Sequence, residues 1–298
     1  MSEIYSNITS IHVSDLIASK KWYADAFGFS TLKEITTDAY TSAFIALNSE
    51  GHKYAGNALG ARNGVLELKQ LKEAKPIHNG NAAPYHGFGH LCVSVSDIAA
   101  AQKELLAQGV NFKKRLEDGR QKYIAFVLDP DGYWVELIEN RINYQEGVYD
   151  LSSNRMNHTM VRVKDPKVSV KFWEKLGLKL LSVRDHAEAN FTLYFLGTDS
   201  GDFEGKEGVV PQAGIEGIIE LTHNYGTESD DDFKGYYVFT KGAENVTGFD
   251  HFGIGCKDVD SLVSKLGDVK IVEKGEGYVV VEDPDGWLVN IHGFDYLN

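Results

Sequence analysis

The chain has 298 residues, of which 43% are hydrophobic and 24% are charged, a composition typical of a globular protein with one large domain or two ordinary ones. Its formal net charge of −13 disfavours nucleic acid or an anionic membrane as a partner. The two cysteines, Cys92 and Cys256, form no CxxC pair, and neither a signal peptide nor an apolar membrane span is predicted. We therefore expect a protein of a reducing compartment, the cytoplasm.

Hydrophobic periodicity predicts four similar units, each with a short strand, a helix and further strands separated by turns. The predicted first strands are 7–14, 87–95, 157–163 and 250–257, the helices are 16–27, 97–108, 166–176 and 258–266, and the last strands are 64–70, 132–138, 216–222 and 286–292. We number the units one to four in chain order. The prediction is an α+β protein of four βαβββ modules, whose mixed curved sheets form half-barrel clefts.

The second half of the chain repeats the first half. The matching motifs are NITSIHVSD (7–15) with NHTMVRVKDP (157–166), GFGHLCVSVSDI (87–98) with GFDHFGIGCKDV (248–259), and DPDG (129–132) with DPDG (283–286). A shared order of motifs over most of the chain indicates duplication. The sequence therefore predicts two tandem domains, 1–145 and 146–298.

One position on the first strand and one on the last strand of each unit should face the same side of a curved sheet. In units one to four these positions hold Ile8 and Glu67, His90 and Glu136, His158 and Glu220, and His251 and Asn290. Only units two and three fill both positions with metal-competent side chains. We call the set His90, Glu136, His158 and Glu220 the inner site, and the set Ile8, Glu67, His251 and Asn290 the outer cleft.

A single histidine on a strand is more often a hydrogen-bonded core residue than a ligand, and a DPDG repeat needs only a hairpin. The coincidence of four ligand-type residues at equivalent positions favours a metal site instead. Because the outer cleft lacks two of its four donors, one complete site per chain is expected.

Several long motifs resemble glyoxalase I (lactoylglutathione lyase) of the vicinal oxygen chelate superfamily, in its fused two-domain form. They are HNGNAAPYHGFGHLCVSVSD (78–97), DPDGYWVELI (129–138), NHTMVRVKDP (157–166), FTLYFLG (191–197) and ELTHNYGTE (220–228). The resemblance covers nearly the whole chain and implies one site at the interface of the two halves. It implies that Glu136 and Glu220 are metal ligands that also transfer protons, and that His90 and His158 are ligands only.

The resemblance also implies the reaction. The hemithioacetal of glutathione and methylglyoxal would be isomerised to S-lactoylglutathione by carboxylate-mediated proton transfer, through an enediolate held at a divalent metal. Mixed nitrogen and oxygen ligands favour zinc, nickel, cobalt or iron over magnesium or calcium. An insert at 198–216 resembles the zinc-containing members, so zinc is placed ahead of nickel and cobalt.

Glutathione is the implied co-substrate, and as an anion it needs local positive charge on a protein of net charge −13. Its implied contacts are Arg162, Asn224, Lys114, Arg120, Lys122 and His86. His86 stands where an arginine is common just before GFGH, which is a departure from the family pattern. Because the fusion supplies both halves of the site in one chain, we expect a monomer.

Two other functions are compatible with such a fold. An Fe(II) extradiol-type dioxygenase would use two histidines and one carboxylate, and a non-catalytic small-ligand-binding protein would lack a complete metal set. Four filled ligand positions count against both alternatives. The ultraviolet absorbance of a newly formed thioester would distinguish the isomerase from the other two.

Overall fold

The computed structural model describes residues 4–198, 212–241 and 245–296. Units one and two comprise β1 (Ile4–His12), α1 (Leu16–Phe27), β2 (Phe29–Thr36), β3 (Tyr40–Leu47) and β4 (Val65–Leu71), then β5 (Phe88–Val95), α2 (Ile98–Ala107), β6 (Phe112–Lys114), β7 (Ala125–Leu128) and β8 (Trp134–Glu139). Units three and four comprise β9 (Arg155–Val163), α3 (Pro166–Lys175), β10 (Lys179–His186), β11 (Phe191–Gly197) and β12 (Ile218–Asn224), then β13 (Phe249–Cys256), α4 (Val259–Ser264), β14 (Ile271–Gly275), β15 (Tyr278–Glu282) and β16 (Leu288–Gly293). The predicted α+β fold of four βαβββ units is confirmed.

Each helix begins after an aspartate whose side chain accepts backbone N–H groups of the first turn, which satisfies donors that the helix itself cannot pair. These caps are Asp15, Asp97, Asp165 and Asp258. The fourth helix is shorter than predicted, since it ends at Ser264 rather than near residue 266. Gly267, with a φ of 72°, turns the chain into a left-handed conformation soon after that end. None of the helices that the structure describes is long and apolar enough to cross a membrane.

The strands form two curved eight-stranded sheets. One has the order β10-β11-β12-β9-β5-β8-β7-β6 and joins units two and three through the antiparallel pair β5 and β9. The other has the order β14-β15-β16-β13-β1-β4-β3-β2 and joins units one and four through the antiparallel pair β1 and β13. Each sheet therefore takes one unit from each side of the predicted domain boundary at 145/146, and the middle two units share a sheet.

Both DPDG turns are held by their own first aspartate. Asp129 Oδ1 accepts the backbone N–H of Tyr133 at 2.8 Å, and Asp283 Oδ1 accepts that of Trp287 at 2.8 Å. The aromatic residue that follows each turn then donates to a backbone carbonyl in the other unit of the same half. Tyr133 donates its hydroxyl to a carbonyl at 3.1 Å, and Trp287 donates its indole N–H to one at 3.2 Å.

The third residue of each DPDG turn fixes the chain just before a helix in the same half. Asp131 Oδ2 accepts the backbone N–H of Ser14 at 3.0 Å, and Asp285 Oδ1 accepts that of Lys164 at 2.7 Å. The turn thus packs unit two on unit one and unit four on unit three, without any contribution from the metal ligand on the following strand. This explains why both copies keep the turn while only one keeps the glutamate.

Candidate metal centre

The four side chains of the inner site converge on one face of the sheet formed by units two and three. His90 lies on β5, Glu136 on β8, His158 on β9 and Glu220 on β12. Nε2 of His158 lies 3.0 Å from Glu136 Oε2 and 2.9 Å from Glu220 Oε2. Nε2 of His90 lies 3.3 Å and 3.7 Å from the same two oxygens and 3.2 Å from Nε2 of His158. The predicted ligand residues are therefore brought together, although they are separated by up to 130 positions (90 to 220) in the chain.

The spacing of these atoms suits a single divalent cation. All four ligand atoms lie within 4.8 Å of one another. Ligand atoms at about 2.1 Å from a zinc-sized ion lie about 3.0 to 3.4 Å apart, depending on whether the angle is octahedral or tetrahedral. Two imidazole nitrogens and two carboxylate oxygens form a donor set that suits first-row transition metals. The residues thus fit the metal that the sequence motifs imply.

The inner site is buried, and its histidines and glutamates shift one another's pKa values. Burial alone lowers the pKa of His90, but the hydrogen bonds that its ring donates to Glu136 and Glu220, together with their negative charge, outweigh burial and raise the pKa to about 9. Burial alone raises the pKa of Glu136, but hydrogen bonds from His158 and His90 lower it to about 2. The pKa shifts of His158 and Glu220 have the same directions as those of His90 and Glu136, respectively. Metal binding would therefore displace protons from the imidazoles.

The inner site opens into a cavity of about 420 Å³. Its apolar wall includes Phe126, Trp134, Met160, Phe191, Leu193 and Phe195. The ring of Phe126 packs edge to face on His90 with a centroid separation of 5.4 Å, and that of Phe195 packs on His158 at 5.7 Å. These aromatic contacts restrict both imidazole rings and surround the charged groups with a medium of low polarity.

The predicted glutathione contacts differ in where they lie. Arg162 lines the cavity, and its guanidinium donates to the Phe88 carbonyl and to Asn81 Oδ1, each at 3.1 Å. Lys114 donates to the carbonyls of Gln121 and Ile124, each at 2.7 Å, and so supports a loop segment that lines the cavity.

The other four predicted contacts are not among the described residues that line the cavity. Asn224 donates to the hydroxyl of Tyr236 at 2.8 Å, and the exposed His86 has its ring nitrogen 3.2 Å from the Asn81 carbonyl. Arg120 and Lys122 are exposed. In the part of the chain that the structure describes, none of these four residues lines the cavity. Most of the insert at 198–216 lies outside the described residues, namely 199–211.

Several residues of the site were not identified from the sequence, and two of them, Arg184 and Asn157, contact residues that matter to the site. Arg184 lines the cavity with its guanidinium 5.3 Å from the ring centroid of Phe195, and it donates to Gln212 Oε1 at 3.4 Å. The alternation of exposed and partly buried residues along β10 could have indicated it. Asn157, fully buried beside His158, gave no signal beyond its repetition at Asn7.

The outer cleft has the same strand positions as the inner site but carries different side chains there. His251 Nε2 lies 3.7 Å from Glu67 Oε2, while Ile8 and Asn290 occupy the other two positions. Nζ of Lys69 pairs with Asp250 and lies 3.8 Å from Glu67 Oε1. Within the described ranges, only the inner site brings three or more His, Cys, Asp or Glu ligand atoms together.

Paired βαβββ units that face a buried cluster of histidine and glutamate define an α+β protein with a candidate metal centre. The family model described as the Glyoxalase/Bleomycin resistance protein/Dioxygenase superfamily matches residues 6–137 and 155–291. The chain therefore belongs to this superfamily, and the resemblance inferred from the sequence motifs is confirmed.

Similar proteins span nearly the whole chain. This chain is 38% identical over 273 residues to the lactoylglutathione lyase of Schizosaccharomyces pombe. The match covers 89% of this chain and 86% of that relative. It is 37% identical over 315 residues to glyoxalase I of Saccharomyces cerevisiae, with 96% and 92% covered. The crystal structure of glyoxalase I from Zea mays, at 24% identity, superposes with a TM-score of 0.68 over 98% of this chain and 92% of that one. This last likeness shows a shared fold.

Proposed function

We propose that the protein is a lactoylglutathione lyase, which isomerises the hemithioacetal of glutathione and methylglyoxal to S-lactoylglutathione. The observation that carries the proposal is the convergence of His90, Glu136, His158 and Glu220 within 4.8 Å in one cavity. Support comes from the two relatives named lactoylglutathione lyase and glyoxalase I, which are 38% and 37% identical to this chain.

The isomerisation needs a proton to leave the carbon that bears sulfur and another to arrive on the neighbouring carbon. A divalent cation, when bound at the inner site, supplies positive charge beside the two substrate oxygens on which negative charge develops. We assign the first proton transfer to Glu136 and a supporting transfer to Glu220 on the opposite side. The facing imidazoles hold the pKa values of both carboxyls below their usual range, so both groups are ionised at neutral pH. His90 and His158 hold the cation.

Binding of the thiol would rest on the cavity wall and on nearby cations. Arg162 and Arg184 both line the cavity, so we propose that they face the carboxylates of glutathione. Lys114 holds the loop at 121–124, and the exposed Arg120 and Lys122 lie on that loop or next to it, where they would attract an anion. Asn224 and His86 stay candidate contacts. The apolar wall suits the carbon skeleton of the aldehyde.

One experiment tests this proposal. The protein is demetallated with a chelator, reconstituted with zinc, nickel, cobalt or iron in separate samples, and mixed with preformed glutathione hemithioacetal. We expect thioester absorbance to rise, most strongly with zinc, and to stay flat without metal. Absence of thioester with every ion would contradict the proposal. An extradiol-type site needs two histidines and one carboxylate, so the presence of a second carboxylate counts against that alternative.

The remaining expectations belong to the same proposal. We propose one functional site per chain, in a monomer located in the cytoplasm. The support for a single site is the loss of donors at Ile8 and Asn290 in the outer cleft. The support for a monomer is that units two and three, which supply the four ligands, belong to one chain.

A further inference from the structure

Asn157 contacts the ring nitrogen of His158 that faces away from the other ligands. Nδ1 of His158 lies 2.7 Å from Asn157 Oδ1, while Nε2 of the same ring points at the glutamate oxygens of the inner site. Asn157 and His158 are 0% and 4% exposed, so water does not compete for this contact. Whether Nδ1 carries a proton therefore depends on whether the oxygen or the nitrogen of the asparagine amide faces it.

The surroundings of Asn157 decide the orientation of its amide. Nδ2 lies 2.7 Å from the Gln212 carbonyl, 3.3 Å from the Ala213 carbonyl and 2.8 Å from the Ile215 carbonyl. Carbonyl oxygens only accept hydrogen bonds, so the atom that faces them must be the donor nitrogen. The atom that faces His158 is then the amide oxygen, which can only accept. Nδ1 must carry the proton, and a neutral ring is left with a bare Nε2 for a cation.

The duplicated chain contains a matched position that separates this contact from simple anchoring. Asn7 of unit one is the equivalent of Asn157, and its Nδ2 likewise donates to two loop carbonyls, Leu59 at 2.8 Å and Arg62 at 2.6 Å. Its Oδ1 is buried and has no hydrogen-bond partner among the described residues. The next residue is Ile8 where unit three has His158. Loop anchoring is thus common to both asparagines, whereas the contact with an imidazole occurs only beside the inner site.

We propose that Asn157 is a positioning residue that holds His158 in the tautomer and orientation needed to bind a divalent cation. The proposal rests on the cation proposed for the inner site. A hydrogen bond of this kind to the distal nitrogen of a metal-binding histidine fixes the ring and raises its basicity as a ligand. The same amide also fixes 212–215, the segment that leads into β12 and Glu220. One buried side chain therefore aligns donors on two strands.

The test compares Asn157→Ala with Asn7→Ala in the full chain. Each variant loses a buried amide that anchors a loop, so both should lose stability. Zinc affinity is measured by competition with a chromogenic chelator at fixed pH. We expect Asn157→Ala to bind zinc about 10- to 100-fold more weakly than the unmodified protein, and Asn7→Ala to bind it as tightly as the unmodified protein. Equal affinities for the two variants would overturn the proposal.

A second measurement does not depend on the folding of a variant. The unmodified protein, labelled with nitrogen-15 at histidine and loaded with zinc, should show a slowly exchanging proton on Nδ1 of His158 and none on Nε2. The opposite tautomer would overturn the role of Asn157. If the unmodified protein bound no divalent ion at all, the metal site itself would fail. Normal zinc binding without thioester formation would remove the proposed reaction and leave the role of Asn157 intact.

Discussion

The inner site and the outer cleft have the same arrangement of strands. They differ in how the negative charge of their carboxylates is balanced. In the inner site, Glu136 and Glu220 face two imidazoles, so only protons or an added cation can balance the carboxylates. In the outer cleft, Lys69 provides a fixed positive charge between Glu67 and Asp250. Lys69 stands where unit three has Thr222, by the register of β4 and β12. A duplicated cleft can thus lose its metal donors without leaving buried carboxylates unpaired.

The side chains of the outer cleft are also more polar than those around the inner site. Ser42 donates to Glu67 at 2.6 Å, and the Lys69 ammonium lies 5.0 Å from the ring centroid of Tyr40. Tyr296, which follows the last strand, stacks on His292 at 4.9 Å and accepts from Asn290 at 3.4 Å. The inner site instead has phenylalanine, leucine and methionine around its ligands and an open cavity. The two clefts thus differ in that polar side chains contact one another in the outer cleft, whereas an apolar wall surrounds the ligand residues of the inner site.

The largest expected difference between the two regions concerns turnover. Glu136→Gln should reduce kcat/KM by about 10²- to 10⁴-fold, because it removes the proposed base and a cation ligand. Glu67→Gln and His251→Ala, measured in the same assay on folded protein, should leave kcat/KM nearly unchanged. Equal losses of kcat/KM in variants of the inner site and of the outer cleft would contradict the proposal that only the inner site is active.

The next effect concerns stability and is expected in the outer cleft. Lys69→Met should lower the free energy of unfolding by about 3 to 5 kcal/mol, because it leaves the buried Glu67 and the partly buried Asp250 without their lysine. Denaturant titration measures this loss, and the thioester assay on the folded fraction should show activity that is retained. A loss of stability below about 1 kcal/mol, as for a surface ion pair, would show that Lys69 is not the balancing charge.

A smaller effect, the pH dependence of stability, tests whether Lys69 balances the charge of Asp250. Burial alone raises the pKa of Asp250, but Lys69 and a hydrogen bond to His251 lower it well below its usual value. A carboxyl whose folded pKa is depressed stabilises the fold above its unfolded pKa of about 3.9, and that contribution is lost as pH falls through the folded pKa. In Lys69→Met the raising effect of burial is no longer opposed by Lys69, so Asp250 should take up a proton at a pH above about 3.9 in the folded variant. The stability gap between the unmodified protein and Lys69→Met should therefore be largest where the carboxyl is ionised in both proteins and should narrow as pH falls through that raised pKa. A gap that stayed constant from neutral pH to below about pH 3.9 would show that Lys69 does not hold the pKa of this carboxyl down.

Much of the fold and the ligand set could be predicted because duplication fixes register. Equivalent strand positions in four units gave His90, Glu136, His158 and Glu220 without any knowledge of long-range contacts. The contacts of Lys114 and Asn224 could not be predicted in this way, because they depend on loop conformations rather than on strand alternation. The pairing of Lys69 with Asp250 joins residues 181 positions apart and has no local signal in the sequence.

The central claim is that the middle two units form a single cation site and that the outer cleft forms none. Its most direct test is metal content per chain after reconstitution with zinc and removal of the excess, for the unmodified protein, His158→Ala and His251→Ala. We predict one ion per chain for the unmodified protein and for His251→Ala, and less than one for His158→Ala. Two ions per chain, or loss of the ion in His251→Ala with retention in His158→Ala, would contradict the account.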